Sequence, residues 1–171
     1  MVKKRVYFSI LLCCFVSVIC ENADATLMKY VVTDLSSGQF ECEYTLINNN
    51  SVAIQEFTIW FDVQLYDNLV LTTEEPLASQ WDEIILKKTG FGLPIGYDAK
   101  SLTGGILHAE TLNGFSVKFD WFGTGIPGSQ FFEIIDPTTF QTIHSGYTVP
   151  EPATIFLLGL GGLALRAKRK P

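Results

Sequence analysis

Few side chains in this chain of 171 residues could carry out covalent chemistry. A nucleophilic cysteine needs an exposed, electropositive setting, but Cys42 falls on an apolar strand face in an acidic segment, so we expect it to be buried. His108 and His144 lack the short spacing typical of a zinc site. Residues 123–128 match G-x-G-x-x-G, yet Pro127 interrupts the motif and no helix pattern follows. We therefore predict no enzyme, no catalytic residue, no cofactor and no metal site.

Trp60 is the best candidate for a binding contact. It falls on the polar side of an alternating strand pattern, where an exposed ring on a flat sheet could stack on a sugar. The alternative is a tryptophan covered by an edge loop. Asp62, Asp67 and Asp120 could hold calcium at a sheet edge, but the sequence does not place them together, and a solvated surface is the alternative.

The last residues have three parts in a fixed order, each with a physical role. Two prolines around one glutamate remove two backbone donors and keep the triplet extended, which suits a processing enzyme. An apolar run of 13 residues, 153–165, can enter a bilayer as a helix, although its rise of about 20 Å is short of a ~30 Å hydrocarbon core. A basic cluster then favours the cytoplasmic side. The triplet is Pro150, Glu151 and Pro152, and the cluster is Arg166, Lys168, Arg169 and Lys170.

The first 25 residues have the pattern of an export signal. A basic start is followed by an apolar segment, residues 6–20, and then by Ala23 and Ala25 in an A-x-A cleavage site for signal peptidase. The mature chain is therefore predicted to begin at Thr26. A retained N-terminal anchor helix is the alternative, but the apolar run is short for a span.

The tail resembles that of the PEP-CTERM proteins, exported bacterial proteins that an exosortase recognises and processes at the membrane. Two sequence segments in the body, residues 37–50 and 114–130, also resemble segments of a subset of these proteins. The resemblance implies delivery to the cell surface or into the extracellular polysaccharide of a biofilm. It carries no catalytic residue over to this chain.

Charge and cysteine content restrict the partners of the body. Between residues 26 and 148 there are five basic and 15 acidic residues, a net charge of −10. Such a body repels nucleic acid and anionic surfaces, so the basic tail is a membrane feature. Only Cys42 remains in this span, so an intrachain disulfide is not possible and the core must hold the fold.

The body alternates apolar and polar residues in short runs between turn residues, which predicts an all-β antiparallel sandwich of eight or nine strands. The third run, residues 56–65, should be a central strand. Residues 67 and 68 are predicted as a turn, residues 74–100 as a long crossover with one strand or helical turn, and Asn113-Gly114 as a tight hairpin turn. Residues 148–150 are predicted as a short tether.

These patterns together predict a signal peptide helix at 1–25, a sandwich ectodomain at 26–148 and a sorting tail with a transmembrane helix at 149–171. We expect an exported precursor, held transiently in the inner membrane and then delivered to the cell surface or matrix as a structural or interaction protein. A secreted carbohydrate-binding module that uses Trp60 is the second hypothesis, and a hydrolase is the third. The expected partners are signal peptidase, an exosortase, the membrane and an extracellular polysaccharide.

Overall fold

The computed structural model of the protein describes residues 26–87 and 94–151. The predicted leader and the apolar and basic parts of the tail lie outside these residues. Within the described ranges, no helix is long and apolar enough to cross a membrane. The elements there are β1 (Leu27–Ser36), β2 (Gln39–Ile47), β3 (Glu56–Phe61), β4 (Tyr66–Leu71), α1 (Leu77–Gln80), β5 (Trp81–Leu86), β6 (Ile95–Ser101), β7 (Thr111–Trp121), β8 (Phe131–Ile135), β9 (Thr142–Tyr147) and β10 (Val149–Pro150).

The strands form a sandwich of two five-stranded sheets, which confirms the predicted all-β class. The first sheet has the order β10-β1-β2-β7-β4 and the second the order β5-β6-β3-β8-β9. Neighbouring strands run antiparallel, except for the parallel pair of β1 and β10. The prediction of a central third strand is also confirmed, because β3 lies between β6 and β8.

The core lies between the sheets and is built from the inward positions of each alternating strand. On β2 the residues Phe40, Cys42, Tyr44 and Leu46 are all buried. Aromatic rings join the two sheets edge to face: Phe57 of β3 lies 4.9 Å from Phe115 of β7, at an interplanar angle of 82°. Such pairs each contribute about 0.5–1.5 kcal/mol beyond the burial of their area.

The predicted hairpin at Asn113-Gly114 is wrong. Both residues lie inside the long strand β7, which begins at Thr111 and pairs with β2 and β4. Phe115 lies opposite Tyr44, and Asn113 lies opposite Thr45, so Gly114 is an extra residue with φ of +102°. The positive φ that the sequence signals is used for a β-bulge.

Three other boundaries also differ from the prediction. The chain turns at residues 62–65, where the backbone amides of Leu65 and Tyr66 both donate to the carbonyl of Asp62, and residues 67 and 68 lie within β4. The predicted crossover contains β6 as well as β5. The predicted tether contains β10, so the described residues form ten strands instead of eight or nine.

Candidate functional site

An unbroken row of apolar residues crosses the outer face of the second sheet. The register places Leu86 opposite Gly96, Gly96 opposite Trp60, Trp60 opposite Phe131, and Phe131 opposite Tyr147. Since paired residues point to the same face of a sheet, all five lie side by side across five strands. We call Trp60, Phe131 and Tyr147 the aromatic row. With strands about 4.8 Å apart, the row is about 10 Å long.

The indole of Trp60 is fixed across its strand. Its Nε1 donates to Glu133 Oε2 of β8 at 2.8 Å, and Thr142 Oγ1 of β9 donates to the other oxygen of that carboxylate at 2.9 Å. On the other side, a Cβ at Gly96 of β6 would stand 3.1 Å from Cζ3 of the indole. The ring therefore reaches from β8 to β6, and glycine at position 96 makes room for it.

The other two rings of the aromatic row are in contact with each other. Phe131 and Tyr147 have ring centroids 5.5 Å apart at an interplanar angle of 63°. Tyr147 is 66% exposed, whereas Phe131 and Trp60 are half-buried. The exposed ring at one end and the fixed indole at the other make a surface on which a flat apolar ligand could lie.

A polar row runs beside the aromatic row, two residues along each strand. It pairs Asp98 with Thr58, Thr58 with Glu133, and Glu133 with Ser145. Thr58 Oγ1 donates to Asp98 Oδ1 at 2.6 Å. The main effect on Asp98 is burial, which raises its pKa. The hydrogen bond from Thr58 opposes this shift and does not cancel it. Each carboxylate oxygen can accept more than one hydrogen bond, so the polar row retains free acceptor capacity.

The residue two positions before the sorting triplet, Thr148, lies inside the folded body. Thr148 is fully buried, and its Oγ1 accepts from the backbone amide of Gln130 at 2.9 Å and donates to Gln130 Oε1 at 3.0 Å. Gln130 Nε2 in turn donates to Tyr66 Oη at 3.1 Å. Burial raises the pKa of Tyr66 to about 12, so its hydroxyl stays protonated at neutral pH. We call Gln130 and Thr148, with the hydrogen bonds between them, the Gln130–Thr148 pair.

Directly after this pair, β10 joins the edge of the first sheet. Val149 lies opposite Lys29, and Pro150 lies opposite Tyr30. The backbone amide of Glu151 donates to the carbonyl of Tyr30 at 2.9 Å. Two of the three residues of the predicted sorting triplet are therefore placed against β1, while Pro152 lies outside the described residues.

The remaining residues that the sequence singles out are placed as follows. Cys42 is fully buried, as predicted, and burial raises the pKa of its thiol to about 12. His108 and His144, distant in sequence, line one open cleft of about 450 Å³. Asp67 and Asp120 are cross-strand neighbours. In residues 26–87 and 94–151, no group of three or more His, Cys, Asp or Glu is arranged to hold a metal ion.

Sequence reasoning missed a polar cluster at the side of the sandwich. Glu83 Oε2 accepts from Tyr97 Oη and from Thr73 Oγ1, both at 2.7 Å, while its Oε1 is buried without a partner among the described residues. Glu83 lies on the same side of β5 as the buried Trp81. That charge on an apolar strand face is the signal that could have revealed the cluster.

Most of the residues predicted to act at the chain ends lie outside the described residues. The signal peptidase residues Ala23 and Ala25 and the basic cluster at 166–170 are among them. Thr26, the predicted first residue of the mature chain, is 4% exposed and accepts a hydrogen bond at 2.8 Å from Asn50 Nδ2.

The body is thus a β-sandwich, and the segment that leaves it has the features of a sorting signal. Comparison with known families identifies residues 148–170 as a PEP-CTERM protein-sorting motif. This confirms the interpretation of the tail and implies export, sorting to the surface and processing by an exosortase. No curated protein matches the chain.

Two solved structures that the chain resembles are distant from it in sequence. The chitin-binding domain of Chi18aC from Streptomyces coelicolor has 14% identity and a TM-score of 0.39, over 62% of this chain and 89% of that domain. The GH20 exo-β-N-acetylglucosaminidase from Vibrio harveyi, in complex with N-acetylglucosamine, has 10% identity and a TM-score of 0.37. That match covers 74% of this chain but only 18% of the enzyme.

Proposed function

We propose that the protein is an exosortase substrate whose sandwich serves as a structural or interaction module at the cell surface or in the extracellular matrix. The leader directs export, and the tail holds the precursor in the inner membrane. The exosortase then acts near Pro150, Glu151 and Pro152 and releases the body. The sorting motif supports the trafficking part of this proposal.

The observation that carries the proposal is the direct junction between body and motif. The motif begins at Thr148, which is fully buried, and β10 continues along the sheet edge without a spacer. A folded module joined so closely to a processing signal is suited to delivery as intact cargo. No catalytic constellation is predicted from the sequence, and assays against ester, peptide and glycoside substrates test for the hydrolase alternative.

Intact-mass analysis of the protein from its native host tests the proposal, with an exosortase-deficient strain as the control. We expect a mature form that begins at Thr26 and lacks the apolar and basic parts of the tail, and a longer form without the enzyme. Retention of residues 149–171 in both strains would contradict the proposal and leave a plain tail anchor.

Carbohydrate binding through Trp60 is the second candidate. It is supported by the aromatic row, in which Phe131 lies beside Trp60 and Tyr147 lies beside Phe131 on the same face. A glycan array probed with wild type and Trp60→Ala separates this candidate from a purely structural module, because a structural module gives no signal with either protein.

A further inference from the structure

We propose that the aromatic row binds the flat faces of consecutive sugars in a neutral polysaccharide chain. This inference rests on the proposed function as an extracellular interaction module and names the ligand class. Sugars with equatorial hydroxyls present an apolar face of C–H groups and a polar rim. The aromatic row and the polar row beside it offer the complementary arrangement, with apolar rings in line and acceptors along one side.

The spacing of the rings favours a chain over a single sugar. Trp60 and Tyr147 lie on strands separated by β8, so their backbones are about 10 Å apart, with Phe131 between them. A lone sugar ring is too short to cover both ends. An extended chain that runs across the strands could place one sugar on Trp60 and the next toward Tyr147.

The aromatic row is already arranged for binding. The bond from Trp60 Nε1 to Glu133 and the bond from Thr142 to the same carboxylate hold the indole in place. Gly96 leaves the space in which the indole lies, since a Cβ there would stand 2.9 Å from Leu86 Cδ1 and 3.1 Å from the indole. A ring fixed before binding loses little conformational entropy when the ligand arrives.

The charge of this face selects against acidic ligands. The polar row, together with the next row along the strands, which contains Glu56, carries four carboxylates and one ammonium group. These charges repel a polysaccharide with uronic acids, and they equally repel a bilayer with anionic headgroups. A neutral glycan meets no such repulsion and can donate hydroxyl hydrogen bonds to the free acceptors. The charged residues are Glu56, Asp82, Asp98, Glu133 and Lys100.

The test measures binding of the full-length and host-processed protein to an array of neutral and acidic oligosaccharides. Vesicles of phosphatidylethanolamine and phosphatidylglycerol serve as the membrane arm. The variants are Trp60→Ala, which removes the fixed indole, and Tyr147→Ala, which removes an exposed ring that the core does not need. Phe122→Ala is the matched control, because Phe122 is 64% exposed and Tyr147 is 66% exposed.

We expect wild type to bind neutral oligosaccharides and Tyr147→Ala to bind about three- to tenfold more weakly, as for the loss of one aromatic contact. Trp60→Ala should lose binding, and Phe122→Ala should match wild type. Equal binding by wild type and Tyr147→Ala would overturn the proposal. So would the absence of neutral-glycan binding, or vesicle binding that requires Tyr147. Intact-mass analysis measures removal of the tail separately. A failure of sorting and a failure of glycan binding therefore give different results.

Discussion

The Gln130–Thr148 pair gives the sharpest prediction for stability. Thr148→Val keeps the shape of the side chain but removes its hydroxyl. The backbone amide of Gln130 then loses its acceptor at 2.9 Å, and Gln130 Oε1 loses a donor at 3.0 Å. Gln130 is 3% exposed, so water cannot replace these partners. The amide of Thr148 keeps its bond to the carbonyl of Gln130.

The magnitude follows from the two groups left behind. A buried polar group without a partner costs about 1–3 kcal/mol. Gln130 Oε1 retains a long contact from Tyr44 Oη at 3.4 Å, so its loss lies at the lower end. We expect Thr148→Val to lower the free energy of unfolding by about 2–4 kcal/mol. Thr33→Val, on the exposed part of β1, is the control and should stay within about 0.5 kcal/mol of wild type.

Urea unfolding measures this loss in a double-mutant cycle. The four proteins are wild type, Thr148→Val, Gln130→Ala and the double variant. If Thr148 and Gln130 act through each other, Thr148→Val combined with Gln130→Ala is less destabilising than the sum of the single changes. Hydrogen exchange should also quicken at the amides of Thr148 and Glu151. A Thr148→Val protein as stable as the Thr33→Val control, or strict additivity in the cycle, would refute the reasoning.

Two further predictions concern buried ionisable groups. Burial first, and then the charge of Asp98, raise the pKa of Glu56, so its contribution to stability is present at low pH and is lost as the pH rises through its folded pKa. Glu56→Gln should therefore stabilise the protein against urea at pH 7 and not at pH 4, and an equal effect at both values would exclude this cause. Burial raises the pKa of Cys42 to about 12, so Ellman's reagent at pH 8 should label the thiol only after unfolding. Rapid labelling of the native protein would show that Cys42 is accessible.

Strict alternation made the β-class and several strands predictable from sequence. The inward residues of β2 and β3 can be read directly from the chain, and so can the outward side of Trp60. β6 was missed because Gly96 and Asp98 interrupt its pattern, and only Tyr97 and Ala99 mark its buried face. The feature at Asn113-Gly114 was misassigned because a positive φ serves a bulge as well as a turn.

The candidate site was only partly predictable, because sheet pairing joins distant segments. Trp60 donates a hydrogen bond to Glu133, which lies 73 residues later in the chain, and no local sequence pattern sets the register between their strands. Phe131 and Tyr147 join Trp60 in one row only because β8 lies beside β3 and β9 lies beside β8. β10 has two residues, too few for any periodicity, and Thr148 resembles an ordinary linker residue until Gln130 is brought against it.

The parallel direction of β1 and β10 has a mechanical consequence. The chain enters at the start of β1 and leaves at the end of β10, so tension between these two points acts along both strands in opposite senses. Such a load strains the contacts of the pair together, in shear, and does not open them one after another. Thr148 must be drawn out of the interior in the same event. Under tension between these two points, the contacts of β1 with β10 and the hydrogen bonds of Thr148 are therefore expected to break in one step.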